Sequence, residues 1–172
     1  MEFSMSKIAN LKDLFIEQLR DRYDSANRQL GFFPTLLKEA KTPELRKVIE
    51  ELQKKTRHHL ETLENIFLEL DADIGGEGCE ATRGLIHEAT EIISRSTDLQ
   101  VREAGIAVSI QHLNHHDISG FGTCQAYAKT LGYKKIMETV GHMLNDEKNI
   151  DRELTNISTH SLNEEAMNPI LG

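Results

Sequence analysis

The chain has no tryptophan, three prolines, two cysteines and only 5% aromatic residues in a length of 172. So few turn-formers and ring-bearing strand residues exclude a sandwich or barrel of many short strands. They equally exclude collagen-like or Pro-rich low-complexity sequence. No apolar run approaches the roughly 18 residues of a membrane-spanning helix, and no basic-then-apolar leader opens the chain. A cytoplasmic protein with no membrane partner is therefore expected. Cys79 and Cys124 match no zinc spacing and read as free thiols of a reducing compartment. Acidic residues outnumber basic ones, 28 to 20, for a net charge of −8, and no basic run exceeds a pair such as Lys54-Lys55. A chain so balanced binds phosphate backbones poorly, so no nucleic-acid partner is expected. Neither a Gly-x-Ser-x-Gly elbow nor a phosphate-binding loop occurs.

What is present is helical periodicity, nearly throughout. Ile8, Leu11, Phe15, Leu19, Ala26, Leu30, Phe33 and Leu37 recur in steps of three or four. They predict a helix over about 6–40, kinked or broken at Pro34. Thr42-Pro43-Glu44 is a start signal, a hydroxyl cap followed by proline in the first turn. From it runs a stripe through Leu45, Ile49, Leu52, Thr56, His59, Leu63, Ile66 and Leu70. Gly75-Gly76-Glu77-Gly78 marks a break. A short helix over 80–95 follows, then a long one over 98–131 with Val101, Ala104, Ala107, Val108, Gln111, His115, Ser119 and Gly122 on one side. Ile110, Leu113 and Phe121 read as a second apolar side, for a dimer partner or for the short helix. The last helix, 134–157, carries Ile136, Val140, Met143, Glu147, Ile150, Leu154 and Ile157. Long–long–short–long–long predicts an all-α four-helix bundle with one extra short helix in the crossover connection. Residues 1–5 read as a vector remnant or disordered N-terminus, 6–157 as the helical domain and 158–172 as a flexible polar tail.

Polar residues interrupt the stripes at about mid-helix: Arg22, Lys55, Thr56, His59, Gln111, His112, His115, Glu147 and Asp151. Helix rise puts them near one level of the bundle, where such folds build cofactor and metal sites. His59, His115, Glu147 and Asp151 together have the donor types for one divalent ion, iron, manganese or zinc. The competing and expected arrangement is a buried polar layer with no cofactor, its carboxylates paired with Arg22 or Lys55. Of the neighbouring histidines, His58 and His116 are expected in solvent. No Glu-x-x-His lies on the second or last helix, which argues against a di-metal site.

Several segments resemble the YciE/YciF family of ferritin-like, stress-associated bacterial proteins. They are Leu11–Phe15, Leu19-Arg20-Asp21, Tyr23-Asp24, Thr42–Leu45, Leu63–Phe67, Cys79-Glu80-Ala81, Gly84-Leu85-Ile86, Gly120–Thr123 and Asp146-Glu147-Lys148, in order from 6 to 157. The resemblance implies a ferritin-like bundle, a homodimer and a pair of metal ions inside it. It implies glutamate where this chain has Ala26. It implies His-Leu-Glu-Glu-Thr where the chain reads Leu52-Gln53-Lys54-Lys55-Thr56. Glu-His-Tyr-Glu is replaced by Asn114-His115-His116-Asp117. Three carboxylate positions thus become Ala26, Lys55 and Asn114, so a degenerate di-metal site and a non-catalytic binding or structural role are expected. The alternatives are a di-iron or di-manganese oxidase, peroxidase or catalase, and a structural oligomer with no ligand.

Overall fold

The computed structural model describes residues 7–76 and 78–167. Residues 1–5, read above as a remnant or disordered segment, lie outside the described residues. The elements are α1 (Leu11–Glu39), α2 (Pro43–Glu69), α3 (Glu80–Arg95), α4 (Leu99–Thr130), α5 (Lys134–Ile157), a π-helical turn (Ser158–Leu162) and α6 (Asn163–Met167). No strand occurs among the described residues, and none of their helices is long and apolar enough to cross a membrane.

Two helix starts are capped by their own local side chains. Asn10 caps α1 by accepting the Asp13 N–H at 3.0 Å, and Asp98 caps α4 by accepting that of Val101 at 3.0 Å. Thr42 was expected to cap α2 with its hydroxyl, yet that side chain makes no cap bond. The cap comes from α4: buried Glu103 accepts the Thr42 N–H at 2.6 Å and also the Lys41 N–H and the Thr42 hydroxyl. A carboxylate at a helix N-terminus also opposes the helix dipole favourably. The break expected at Pro34 is absent, since α1 continues to Glu39. Phe33 and Leu36 are fully buried on either side of exposed Pro34. Packing there outweighs the one backbone bond that proline forfeits.

In the bundle, α1 packs against α2 and α4, and α5 against α4 and α2, so α2 and α4 stand diagonally. The α2-to-α4 connection must therefore cross the bundle, and α3 does so while packing on α1 and α4. The apolar core falls into two clusters. One gathers Phe33, Leu36, Leu45, Ile49, Leu52, Ile106, Ile110, Leu113, Ile150 and Leu154. The other gathers Phe15, Leu19, Leu63, Ile66, Phe67, Phe121, Cys124, Val140 and Met143. On every long helix the clusters leave the same gap, between Leu19 and Phe32, Leu52 and Leu63, Leu113 and Phe121, and Leu144 and Ile150.

Two expectations are corrected. Residues 158–167 are not a free tail: they continue as helix and bury Leu162, 1% exposed, in the first cluster. Residues 168–172 lie outside the described residues. The buried face of α4 is also not the one expected. Val101 and Val108 are about 40% and 39% exposed, while Ile110, Leu113 and Phe121 are core residues. This helix carries apolar residues on nearly every side, so periodicity alone does not orient it.

Candidate functional site

The gap between the clusters is filled by polar side chains from all four long helices. Arg22 and Gln29 of α1 are each 2% exposed, and Ser25 not at all. They occupy the inward face at steps of three and four between Leu19 and Phe33. Arg22 Nη1 donates to Asp117 Oδ1 on α4 at 2.7 Å and to the His116 carbonyl at 3.2 Å. Asp117 accepts two further bonds, from the Ser25 hydroxyl at 3.1 Å and from Gln29 Nε2 at 2.5 Å. Its carboxylate is thus held by one full charge and two neutral donors, as a buried anion requires. Gly120 makes room for this: a Cβ there would lie 2.4 Å from Arg22 Nε.

The other half of the layer joins α2, α4 and α5. His59 Nδ1 stands 3.3 Å from Glu147 Oε1 and its Nε2 3.1 Å from Asp146 Oδ2. Lys55 Nζ reaches Asp146 Oδ1 at 2.7 Å. Asn114 Nδ2 donates to Glu147 Oε2 at 2.6 Å and to the Glu147 carbonyl at 3.0 Å. The Phe121 ring meets His59 edge-on, with centroids 5.6 Å apart. Burial works against a charged His59, but its bonds to Glu147 and Asp146 outweigh it and hold its pKa above the usual value. Burial raises Glu147 as well, aided by the charge of Asp117. The pair therefore keeps a proton more tightly than either group would in water. Burial also works to raise Asp146, yet its bonds to Lys55 and His59 bring it below the usual carboxylate range.

The structure brings together only part of the expected set. His59 and Glu147 meet in the layer, with Thr56 buried beside His59 on α2 and Lys55 at the rim. His115 does not join them. Its side chain is 64% exposed and pairs with Asp151 at 2.8 Å on the outside of α4 and α5. Gln111 belongs to that outer group too, donating to Asp151 at 3.4 Å and to Thr155 at 3.1 Å. His112 is exposed rather than part of the buried layer, and His116, expected in solvent, turns inward instead. These corrections share one cause, the rotation of α4 relative to the face expected. Asp117, Ser25, Gln29 and Asp146 are layer residues that sequence reasoning missed, while Asn114 entered only through the resemblance, as a replaced carboxylate position. The signal was there in α4, where Leu113, Asp117, Phe121 and Cys124 run in steps of four and three.

These residues do not suit a metal pair. Arg22 puts a permanent cation in the layer, Ala26 has no donor atom, and Asn114 turns its N–H groups onto Glu147. Asp117 is already taken up by Arg22, Ser25 and Gln29. Among the described residues no group of three or more His, Cys, Asp or Glu is placed to hold an ion.

Fold and site together define a four-helix-bundle protein with a crossover helix and an ion-paired interior. Residues 10–167 match the family described as Domain of unknown function (DUF892), and the chain belongs to that family. It is 27% identical over 159 residues to Protein YciF of Escherichia coli (strain K12), covering 92% of this chain and 96% of that protein. The crystal structure of the E. coli stress protein YciF superposes with a TM-score of 0.85 at 26% identity, covering 91% and 99% of the two chains. YcfI of Rhodopseudomonas palustris, proposed to be a structural protein, does so with a TM-score of 0.85 at 29% identity, covering 89% and 98%.

Proposed function

We propose that this chain is a ferritin-like, stress-associated, cytoplasmic member of its family that acts as a non-catalytic binding or structural protein. In this reading the Arg22–Asp117 and His59–Glu147 pairs occupy the place of a di-metal centre, and the protein works as a homodimer without a cofactor. The observation that carries it is Arg22, a 2% exposed guanidinium on Asp117 in the gap between the two apolar clusters. A fixed cation there repels a divalent ion and supplies the charge that the carboxylates need. The relationship to a stress protein and to one proposed as structural supports the reading. The test is elemental analysis of untagged protein, purified without chelator, beside Glu147→Ala. Protein free of iron, manganese and zinc, with a melting temperature unmoved by chelator, is the expected result. One or more equivalents of such a metal, lost in the variant, would overturn it and turn attention to peroxide and oxygen chemistry.

A further inference from the structure

The bundle leaves one face of α4 uncovered. Val101, Ala104 and Val108 form its first half, Ser119, Gly122 and Ala126 its second, with His112 and His115 between. Steps of three and four put them all in one stripe about 37 Å long. Most of them are residues that periodicity marks as a core face, yet they are exposed or half-buried, Val101 by 40% and Val108 by 39%. In a chain with 28% Asp, Glu, Lys and Arg, a helix face in water is expected to carry charge. The outer face of α5 does, through Lys148, Arg152 and Glu153. From Ala104 to Ala128, by contrast, α4 has no Lys, Arg or Glu, and its one Asp, Asp117, is buried. Depletion of charge from an exposed, partly apolar stripe is the mark of the core of an interface.

We propose that the chain dimerises through this stripe, α4 packing antiparallel on α4 of a second copy. The proposal rests on the homodimer reading above and adds to it the face, the element and the register. The order of side chains along the stripe selects the partner, because the valines lie in its first half and the small residues in its second. About a two-fold axis at the level of Leu113 and Asn114, Val101 faces Ala126 of the other copy, Ala104 faces Gly122, and Val108 faces Ser119. Each larger side chain meets a smaller one, and every contact occurs twice, as an isologous interface requires. Open space around Gly122 leaves room for the approach. A parallel pair would set valine on valine and glycine on glycine, a bulge beside a gap. The alternation of three and four along the whole seam is that of two helices in a left-handed pair. At its centre His112 faces His115. Asp151 Oδ1 is 2.8 Å from His115 Nε2, and an ionised carboxylate only accepts. In the neutral ring this leaves Nδ1 of His115 to accept from His112 of the second copy, a polar contact that fixes the register.

The test is sedimentation equilibrium of the untagged full chain from micromolar to near-millimolar concentration. A mass twice the 19.5 kDa of the chain is expected. Val108→Lys puts a charge into the seam and should weaken association about 100-fold, as loss of a central anchor does. Ser119→Glu should act likewise. Both positions are on the surface, so circular dichroism should show the helices intact in each variant. Val108→Lys/Ser119→Glu sets opposite charges across the seam at two symmetric places. Within one copy the two positions are about three turns apart, too far to pair. The double variant should therefore recover about 10-fold in affinity over either single one, and only in the antiparallel register. A monomer at every concentration overturns the interface together with the homodimer reading. A dimer that Val108→Lys leaves intact overturns the interface and spares that reading. Disruption by both single variants with no recovery in the double one overturns the antiparallel register.

Discussion

Replacing Arg22 with methionine is the sharpest perturbation of the layer. The side chain keeps its length and apolar stem, but the guanidinium and its bonds to Asp117, the His116 carbonyl and His116 Nε2 are lost. Asp117, 6% exposed, is left a buried carboxylate with only Ser25 and Gln29 as donors. Breaking a buried pair from one side costs about 3–5 kcal/mol. That is a large part of the roughly 5–15 kcal/mol by which a domain is stable. In a chain of this size about 1 kcal/mol moves the melting temperature by about 2–4 °C, so a fall of about 6–20 °C is expected. Asp117→Asn in the same background removes the stranded charge and keeps an oxygen for Ser25 and Gln29. The double variant should therefore recover about 2–3 kcal/mol by the same reasoning. Urea unfolding of the four proteins of the cycle, followed by circular dichroism, measures both quantities. A loss under about 1 kcal/mol for Arg22→Met, typical of a surface pair, together with no coupling to Asp117, would refute the claim that this pair holds the layer.

Other outcomes can be checked alongside. Gly120→Ala should cost about 1–3 kcal/mol because its Cβ would meet Arg22, whereas Gly122→Ala, with open space around it, should gain about 0.5–1 kcal/mol from helix propensity; melting curves of the two variants decide. The raised His59 stabilises the fold fully below its ordinary value of about 6.5 and loses that contribution as pH climbs through the higher folded value. Glu147, also raised, acts in the same direction, and Asp146, lowered, contributes above about 4 and fades as pH falls through its folded value. The urea midpoint should thus decline as pH rises above about 6.5, and the decline should flatten in His59→Gln/Glu147→Gln. An unchanged slope in that double variant would show that this pair does not carry the effect. Finally, Arg22→Leu/Ala26→Glu removes the cation and adds a carboxylate at a buried position of α1. Calorimetric titration with manganese should show binding in this variant and none in the parent chain.

The sequence alone determined the five main helices, because their apolar periodicity, the proline at the start of α2 and the glycine loop are all local signals. The order long–long–short–long–long also implied the crossover bundle, since a short amphipathic helix between long ones has few other places to go. Arg22, His59 and Glu147 were legible as layer residues, each being a polar interruption in an otherwise apolar stripe. Only the tertiary structure decided the rest. The rotation of α4 put Asn114, His116 and Asp117 inside and His112 and His115 outside, because a helix apolar on several sides is oriented by what packs against it. The cap on α2 came from Glu103, about sixty residues away in sequence, and no local pattern announces a partner so distant. Spacing along one helix sets which residues share a face; which face is buried, and what it meets, is settled by packing between helices.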